Sequence, residues 1–178
     1  EGPAEMLNAT INTQPVMLTA GYAVYRAWRD AGGAEPALVA GHSRGEYTAL
    51  VASGALAFRD ALPLVRFRAQ AMQEAVPVGE GAMAAILGLE DGAVSAACGE
   101  AAQGQVVEPV NFNAPSQVVI AGHKPAVERG MAVAKAKGAK RAMLLPVSAP
   151  FHSSLLKPAA EKLSAYLGTI NVSAPRIP

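Results

Sequence analysis

Cysteine, aromatic side chains and charged side chains are all scarce in this sequence. The single cysteine, Cys98, excludes an intramolecular disulfide, and this scarcity is typical of a reducing compartment, so we predict a cytoplasmic location. Cys98 lies in an alanine-rich stretch without a second cysteine at CxxC spacing, which favours a buried small residue over a nucleophile. Aromatic residues make up 5% of the chain and do not alternate with basic ones, so stacking on single-stranded nucleic acid is not expected.

Several other kinds of site and segment are missing as well. The formal net charge of +1 gives no electrostatic reason to expect binding to nucleic acid or to a membrane surface. No apolar run approaches the roughly 18–20 residues that span a bilayer, and no signal peptide is recognisable at the start. Metal-ligand spacings, a phosphate-binding loop and a G-x-G-x-x-G segment after a strand are all absent, so we expect no metal and no bound cofactor.

The chain does contain enough apolar material for a substantial core. Apolar residues are 51% and charged residues 16% of the 178 residues, which predicts one compact domain, or one domain with a smaller inserted subdomain. Residues 1–3 are neither an initiator methionine nor a recognisable cleavage site, so we expect a piece of a longer protein. We expect a monomer.

The segment Gly41-His42-Ser43-Arg44-Gly45 has the G-x-S-x-G pattern of a nucleophile elbow. It follows the apolar run 37–40, which predicts a strand, and it leads into residues 46–52, which can continue as a helix. Both glycines lack a Cβ, so the backbone can turn sharply and expose the serine Oγ at the end of a strand. The pattern also occurs in ordinary loops, but this context favours Ser43 as a nucleophile, provided that a base exists elsewhere.

A serine hydroxyl is a weak nucleophile near neutral pH and needs a general base, and the chain has three histidines. His42 adjoins the serine, and adjacent side chains on a turning strand point apart, so we expect it to be structural or a wall of the site. His123 follows a predicted strand, and we expect it on a surface loop. His152 lies at a predicted junction between subdomains, a common place for a cleft; its position fits a base and an ordinary helix-start residue equally well.

Hydrophobic periodicity and turn residues predict a mixed α/β order. Helices are expected from Thr13 to about Ala31, after the elbow as far as Gly54, and from Phe58 to Ala75. The next elements follow the order βαββαβ of a ferredoxin-like subdomain: Ala82–Leu87, Asp91–Ala102, Val106–Asn111, Gln117–Gly122, Pro125–Lys137 and Ala142–Val147. We therefore predict an inserted subdomain at residues 77–147 and a larger subdomain at residues 1–76 and 148–178, with a final helix from Ser153 to Leu167.

Two arginines, Arg66 and Arg68, lie on the helix that runs from Phe58. Being two residues apart, they point to different sides of that helix. Each is a solvated surface arginine by default, and the spacing alone does not choose which one points toward the elbow.

Six segments of the chain resemble malonyl-CoA:acyl carrier protein transacylases, the acyltransferases of bacterial type II fatty acid synthesis. They occur in the family's order and at matching spacing over essentially the whole chain: Thr13-Gln14-Pro15, Gly41-His42-Ser43-x-Gly45-Glu46-Tyr47, Arg66-x-Arg68 with Met72-Gln73, Gly81-Ala82-Met83-Ala84-Ala85, Val110-Asn111-Phe112-Asn113-x-Pro115 and Val147-Ser148-x-Pro150-Phe151-His152. Polyketide synthase acyltransferase domains are also similar, but the free-standing bacterial enzymes fit better. The resemblance implies an α/β-hydrolase-like large subdomain, here incomplete, with the ferredoxin-like subdomain inserted.

By resemblance, Ser43 is the nucleophile that becomes malonylated, His152 is the base, and the backbone N–H of Arg44 belongs to the oxyanion hole. Arg68 would hold the free carboxylate of the malonyl group in a bidentate pair, which selects a dicarboxylic acyl group over acetyl. The reaction implied is ping-pong: malonyl-CoA acylates the serine, CoA leaves, and the phosphopantetheine thiol of acyl carrier protein takes the acyl group. Further substrate-binding positions that the resemblance implies are His42, Met72, Asn111 and Phe151.

The implied partners are malonyl-CoA, CoA and an acidic acyl carrier protein. A basic run without an acid is a candidate docking surface for that carrier, because opposite charges steer the encounter. A merely solvated helix face accounts for the run equally well. The run consists of Arg129, Lys135, Lys137, Lys140 and Arg141.

Three features depart from the family. Arg44 stands where the family usually has an apolar residue or glutamine; it keeps the backbone donor, but its side chain either crowds the acyl pocket or adds a second charge for the carboxylate. A glutamine in a G-Q-G-S-Q segment, the family's second oxyanion donor, has no counterpart here, and the carbonyl that orients the family's histidine would follow Pro178. Two alternatives therefore stay open: a serine thioesterase or hydrolase, and an impaired fragment that acts only as a binding module.

Overall fold

The computed structural model describes residues 2–147 and 149–178, with the backbone alone at residue 8. The chain forms two compact units, Glu1–Ala71 with Glu161–Pro178, and Met72–Ala160. Ser148, the first residue of the predicted return segment, lies outside the described residues. The predicted subdomain boundaries at residues 77 and 147 stay a prediction.

The first unit is built mainly from helices. They are α1 (Ala4–Asn8), α2 (Thr10–Asp30), α3 (Gly45–Ala52), most of α4 (Phe58–Glu74) and the end of α7 (Lys157–Leu167). Helix α2 begins before the predicted Thr13, because the Thr13 N–H already donates to Ala9 O at 2.9 Å. It ends where Gly32 adopts a φ of +84°, a conformation that favours glycine.

The predicted strand at residues 37–40 does not form. A strand needs a hydrogen-bonded neighbour along its length. Among the described residues, this segment makes one backbone hydrogen bond, which Val39 N–H donates to Pro178 O at 2.9 Å. The C-terminal segment that supplies this carbonyl also bonds beside helix α3, where Arg176 N–H donates to Ser53 O at 2.8 Å. Irregular backbone, rather than a paired strand, therefore leads into the elbow.

The core of the first unit lies among helices α2, α3 and α4. Stacked aromatic rings border it, with ring centroids 5.3 Å apart for Tyr22 and Phe58 and 4.7 Å apart for Phe67 and Tyr166. Helix α4 contributes most of the residues that are completely buried. The buried apolar members are Leu18, Val51, Leu56, Ala61, Leu64 and Val65.

The second unit contains a four-stranded antiparallel sheet. Its elements are β1 (Gly81–Leu87), α5 (Asp91–Ala102), β2 (Val107–Ala114), β3 (Gln117–His123), α6 (Lys124–Ala136), β4 (Arg141–Leu144), a 3₁₀ turn (Ser154–Leu156) and the start of α7. The strand order is β2-β3-β1-β4, and every neighbouring pair is antiparallel. The mixed α/β class predicted from the sequence is confirmed, with this small antiparallel sheet as its sheet.

Alternate residues of β1 face opposite sides of the sheet. Ala84 and Ile86 are completely buried in a core that also contains residues of α5 and α6. Met83 points to the other face, where it forms a smaller cluster with Val119 and Ala121. The segment after β4 packs on this second face, because Phe151 joins the smaller cluster.

His123 is not the surface loop residue that the sequence predicts. It is the last residue of β3 and is half-buried, and its Nδ1 accepts a hydrogen bond from the Val106 N–H at 3.0 Å. The strand extends this far because Gly122 lets the two backbones approach; a Cβ at Gly122 would lie 2.0 Å from Val106 O. The ring of His123 therefore accepts a backbone hydrogen bond at the end of the sheet.

Candidate active site

Ser43 lies on the turn between the irregular segment 37–41 and helix α3. Its φ is +54°, in the left-handed region that costs a non-glycine residue roughly 1–2 kcal/mol. Short backbone bonds close the turn, from Gly45 N–H to His42 O at 2.9 Å and from Glu46 N–H to Ser43 O at 3.2 Å. A serine held at positive φ where a helix begins is the geometry of a nucleophile elbow.

The two glycines of the pattern have different structural roles. A Cβ at Gly41 would lie 2.0 Å from the carbonyl carbon of Gly45, a distance that the backbone cannot relieve without moving the turn. A Cβ at Gly45 would meet nothing within 4 Å, and this residue is already helical. The absence of a Cβ is therefore required at Gly41 and not at Gly45.

Arg68, on helix α4, reaches the elbow serine. Its side chain is buried, with 9% of the residue exposed, and its Nη2 donates to Ser43 Oγ at 3.3 Å. The guanidinium carbon also lies 5.7 Å from the centroid of the Tyr47 ring, within the range of a cation–π contact. Arg66 is exposed, so Arg68 is the arginine that lies beside the elbow.

The electrostatics of this guanidinium follow from its burial. Burial lowers the pKa of Arg68 because desolvation disfavours the charged form, while Tyr47 and Glu46 oppose that shift and the charge of Arg44 adds to it. The side chain stays charged, since guanidinium groups do not deprotonate in proteins. Among the residues that the structure describes, none of the ion pairs includes Arg68. An anionic ligand group would therefore find a buried cation that has no carboxylate partner in those residues.

Gln14 belongs to this arrangement, although sequence reasoning gave it no role. It is 4% exposed on helix α2, and its Oε1 accepts a hydrogen bond from Arg68 Nη1 at 2.6 Å. Its Nε2 donates to Thr10 Oγ1 at 3.2 Å, and this bond orients the amide so that Oε1 faces the arginine. The available signal was a glutamine four residues before the buried Leu18, on the same face of an amphipathic helix.

The elbow neighbours of Ser43 differ in exposure. His42 is exposed, and Arg44 is half-buried at the N-cap of α3. The backbone N–H of Arg44 lies at the helix N-terminus, where the helix dipole favours negative charge. The Arg44 side chain adds positive potential at the Arg68 guanidinium, as its effect on the pKa of Arg68 indicates.

His152, in the second unit, also has a left-handed backbone, with a φ of +67° on an exposed turn. The preceding Pro150 is buried against Gly81, where a Cβ would lie 2.3 Å from Pro150 Cδ. Phe151 packs against the cluster on the second face of the sheet. The turn that carries His152 is therefore fixed to the sheet on its N-terminal side.

Two further positions implied by the family resemblance also lie in the second unit. Met72 is 8% exposed on helix α4. Asn111 is half-buried on β2 opposite Val119, and the register shifts on both sides of it, between Pro109 and Asn111 and again after Phe112. Such irregularities re-aim a side chain relative to a regular strand.

The basic run predicted as a docking surface does not present five equivalent cations. The guanidinium of Arg129 is half-buried, and it donates to Ala101 O at 2.9 Å and to Ala102 O at 3.1 Å, which caps the C-terminus of α5. Lys137 pairs with Glu100 at 3.0 Å. The other three cations, all exposed, are Lys135, Lys140 and Arg141.

Two kinds of feature are not found in residues 2–147 and 149–178. Within this range, no group of three or more histidine, cysteine, aspartate or glutamate side chains is placed to hold a metal ion. No helix in the same range combines the length and hydrophobicity that crossing a membrane requires.

Comparison with known proteins gives consistent matches. The sequence model of the family described as acyl transferase domain matches residues 1–178. The malonyl CoA-acyl carrier protein transacylase of Escherichia coli strain K12 is 60% identical over 178 residues, which are 100% of this chain and 58% of that protein.

Solved structures agree with the sequence matches. The acyl-carrier-protein S-malonyltransferase of Burkholderia pseudomallei 1710b has a TM-score of 0.97 and 71% identity, covering 99% of this chain and 58% of that one. A malonyl-transacylase in complex with its type II PKS acyl-carrier protein has a TM-score of 0.98 and 53% identity, covering 100% of this chain and 58% of that one. The chain thus spans somewhat over half the length of the proteins it matches. It belongs to the acyl transferase domain family.

Proposed function

We propose that this chain carries the centre that moves a malonyl group from malonyl-CoA to the phosphopantetheine thiol of an acyl carrier protein, in fatty acid biosynthesis. The observation that carries the proposal is the buried guanidinium of Arg68, 3.3 Å from Ser43 Oγ. Hydrolysis of a neutral acyl ester needs no such cation, whereas a malonyl group brings a free carboxylate to pair with it. The names of the similar proteins support the same substrates.

In the first half-reaction, Ser43 Oγ attacks the thioester carbonyl carbon and its proton passes to His152. The negative charge that develops on the carbonyl oxygen accepts a hydrogen bond from the Arg44 N–H. The carbon–sulfur bond then breaks, CoA leaves with the proton from His152, and a malonyl ester stays on the serine. The positive φ of Ser43 and of His152 supports these roles, because strained backbone is often retained at catalytic positions.

In the second half-reaction, the carrier's phosphopantetheine thiol gives its proton to His152 and attacks the ester carbonyl. The ester C–O bond breaks, Ser43 recovers its proton from His152, and malonyl-carrier leaves. Both substrates bring their own thiols, so the chemistry requires no resident cofactor.

Arg68 is the proposed determinant of acyl selectivity. Its Nη1 is held by Gln14 and its Nη2 reaches Ser43, so its orientation is fixed before the substrate binds. A malonyl carboxylate pairs with the buried cation, while an acetyl methyl would leave that cation desolvated and unpaired. His42, Met72, Asn111 and Phe151 are the remaining proposed substrate contacts.

We infer that residues 77–147, within the second unit, form the inserted ferredoxin-like subdomain and that residues 1–76 and 148–178 are part of an α/β-hydrolase-like subdomain. The antiparallel order β2-β3-β1-β4 supports the first assignment, together with the βαββαβ sequence of elements. The elbow turn supports the second, since G-x-S-x-G elbows are typical of that fold. The boundaries at residues 77 and 147 are part of this proposal.

The docking surface proposed for the carrier protein is the basic run without Arg129. Arg129 is omitted because its guanidinium caps α5. Exposed cations attract an acidic partner over roughly a Debye length, which raises the rate of encounter. The proposed surface consists of Lys135, Lys137, Lys140 and Arg141.

Three outcomes are distinguished by following labelled malonyl-CoA through one turnover. The transferase is supported if the label stays on Ser43 until carrier protein is added and then moves to the carrier thiol. Rapid release of malonate before any carrier is added would instead indicate a thioesterase or hydrolase. A folded chain that acquires no label would indicate a binding module.

A further inference from the structure

The turn that carries His152 is tied to strand β2 by a carboxylate that no step above uses. Glu108 Oε2 accepts a hydrogen bond from the backbone N–H of Ser154 at 2.7 Å. Ser154 follows His152 by two residues and begins the 3₁₀ turn that leads directly into α7. The separation is that of a strong, charge-assisted hydrogen bond, for which about 2.7–2.9 Å is typical.

The bond fills a structural need at this helix start. The first N–H groups of a helix have no intrahelical acceptor, and a side chain at the N-cap usually supplies one. Here the N-cap is Ser153, which makes no such bond because its Oγ donates to Pro150 O at 2.7 Å instead. Glu108 therefore supplies the acceptor from a neighbouring strand.

The same bond bears on the backbone of His152. A non-glycine residue at positive φ persists only where its surroundings hold it there. On the N-terminal side of His152, Pro150 packs on Gly81 and Phe151 packs on the sheet. On its C-terminal side, the Glu108–Ser154 bond joins the chain to β2. The histidine is thus bracketed by two attachments to one sheet.

We propose that Glu108 is a positioning residue for the general base: by fixing Ser154, its carboxylate holds the His152 turn in the conformation that catalysis uses. This inference rests on the proposed function, in which His152 accepts the Ser43 proton. It predicts an effect on the chemical step rather than on substrate binding, because Glu108 acts through the base, whereas the group proposed to bind the substrate carboxylate is Arg68.

The test compares Glu108→Ala and Glu108→Gln with Glu90→Ala. Glu90 is a matched control, since its carboxylate also accepts a hydrogen bond in the second unit, from Ser116 Oγ at 3.1 Å, away from the His152 turn. Glu108→Ala should lower kcat roughly tenfold to hundredfold, as displaced catalytic groups do, and leave KM for malonyl-CoA within about twofold. Glu108→Gln should stay close to the wild type, because its amide oxygen can still accept the Ser154 N–H.

Amide hydrogen exchange at Ser154 supplies a readout that needs no activity. Glu108→Ala should speed that exchange by roughly tenfold or more, whereas Glu108→Gln and Glu90→Ala should not. Unchanged kcat in Glu108→Ala, or equal losses in Glu108→Ala and Glu108→Gln, would overturn the positioning role. A wild-type chain that takes no malonyl group would refute the proposed function instead. Even in that case, an unchanged exchange rate of the Ser154 amide in Glu108→Ala would show that the Glu108–Ser154 hydrogen bond does not hold this turn.

Discussion

Replacing Arg68 by leucine removes the guanidinium and keeps an apolar stem on helix α4. The substitution deletes the donor that lies 3.3 Å from Ser43 Oγ and the one that lies 2.6 Å from Gln14 Oε1. Arg66→Leu is the matched control, because Arg66 lies two residues away on the same helix and is exposed. The proposed role in binding the substrate carboxylate is that of Arg68, so Arg66→Leu should have no effect on it.

The size of the effect follows from the proposed bidentate pair. A hydrogen bond to a charged group contributes about 1.5–3 kcal/mol, so two of them contribute about 3–6 kcal/mol. At about 1.4 kcal/mol per tenfold, Arg68→Leu should lower kcat/KM for malonyl-CoA by roughly 10²–10⁴. Acetyl-CoA has no carboxylate to lose, so its kcat/KM should not fall.

Stability should change much less than activity. Losing Arg68 relieves the desolvation of a buried cation, but it leaves Gln14 Oε1 buried without that donor, at a cost of about 1–3 kcal/mol. The two effects oppose each other, so the Tm should move by only a few degrees, roughly 2–4 °C in either direction. Adding Gln14→Leu removes the acceptor to which Arg68 had donated, so the double variant should be more stable than Arg68→Leu.

The assay measures acylation rates with malonyl-CoA and acetyl-CoA for the wild type, Arg68→Leu and Arg66→Leu. Selectivity should reverse in Arg68→Leu and stay unchanged in Arg66→Leu. An equal fall for both substrates would refute the carboxylate role and leave Arg68 with a general structural role.

The remaining predictions concern the elbow, the cysteine and the docking surface. Gly41→Ala should abolish acylation of the serine because its Cβ would lie 2.0 Å from backbone, whereas Gly45→Ala should fold and react normally. The Tm and the acylation rate of each variant are measured, and equal losses in the two variants would contradict this prediction. Burial raises the pKa of Cys98 from 9.0 to about 11, so at pH 8 the native thiol should react with a thiol reagent far more slowly than the unfolded one, and fast native labelling would oppose this. Because that pKa is higher in the folded chain, deprotonation favours unfolding, and stability should fall as pH rises from about 9 to 11. Lys135→Glu with Lys140→Glu should raise KM for carrier protein, more so at low salt, and leave KM for malonyl-CoA unchanged; an unchanged carrier KM would count against the docking surface.

Much of the second unit was predictable from local pattern. Helix α5 has the predicted bounds Asp91–Ala102, and β1 differs from its predicted bounds by one residue. Each of these elements has either sheet or helix periodicity, and turn residues such as Pro115 and Ser116 separate β2 from β3, so short-range information is sufficient. The predicted β4, Ala142–Val147, begins one residue later and ends three residues later than the observed strand Arg141–Leu144.

Features that depend on distant partners were not predictable in the same way. The apolar run 37–40 has strand composition, but a strand also needs a neighbour, which composition cannot reveal. His123 and Arg129 bond to residues 17 and 28 positions away, and their polar side chains suggested surface positions. Spacing could not separate Arg66 from Arg68, because burial of one of them depends on where Gln14 and Ser43 lie.

The most direct test of the central claim is the intact mass of the chain after brief exposure to malonyl-CoA, with peptide mapping of the site. We expect one malonyl group per chain, located on Ser43, absent from Ser43→Ala and transferred to the carrier thiol when carrier protein is added. A folded wild-type chain that gains no malonyl group, or a Ser43→Ala chain that gains as much as the wild type, would contradict it.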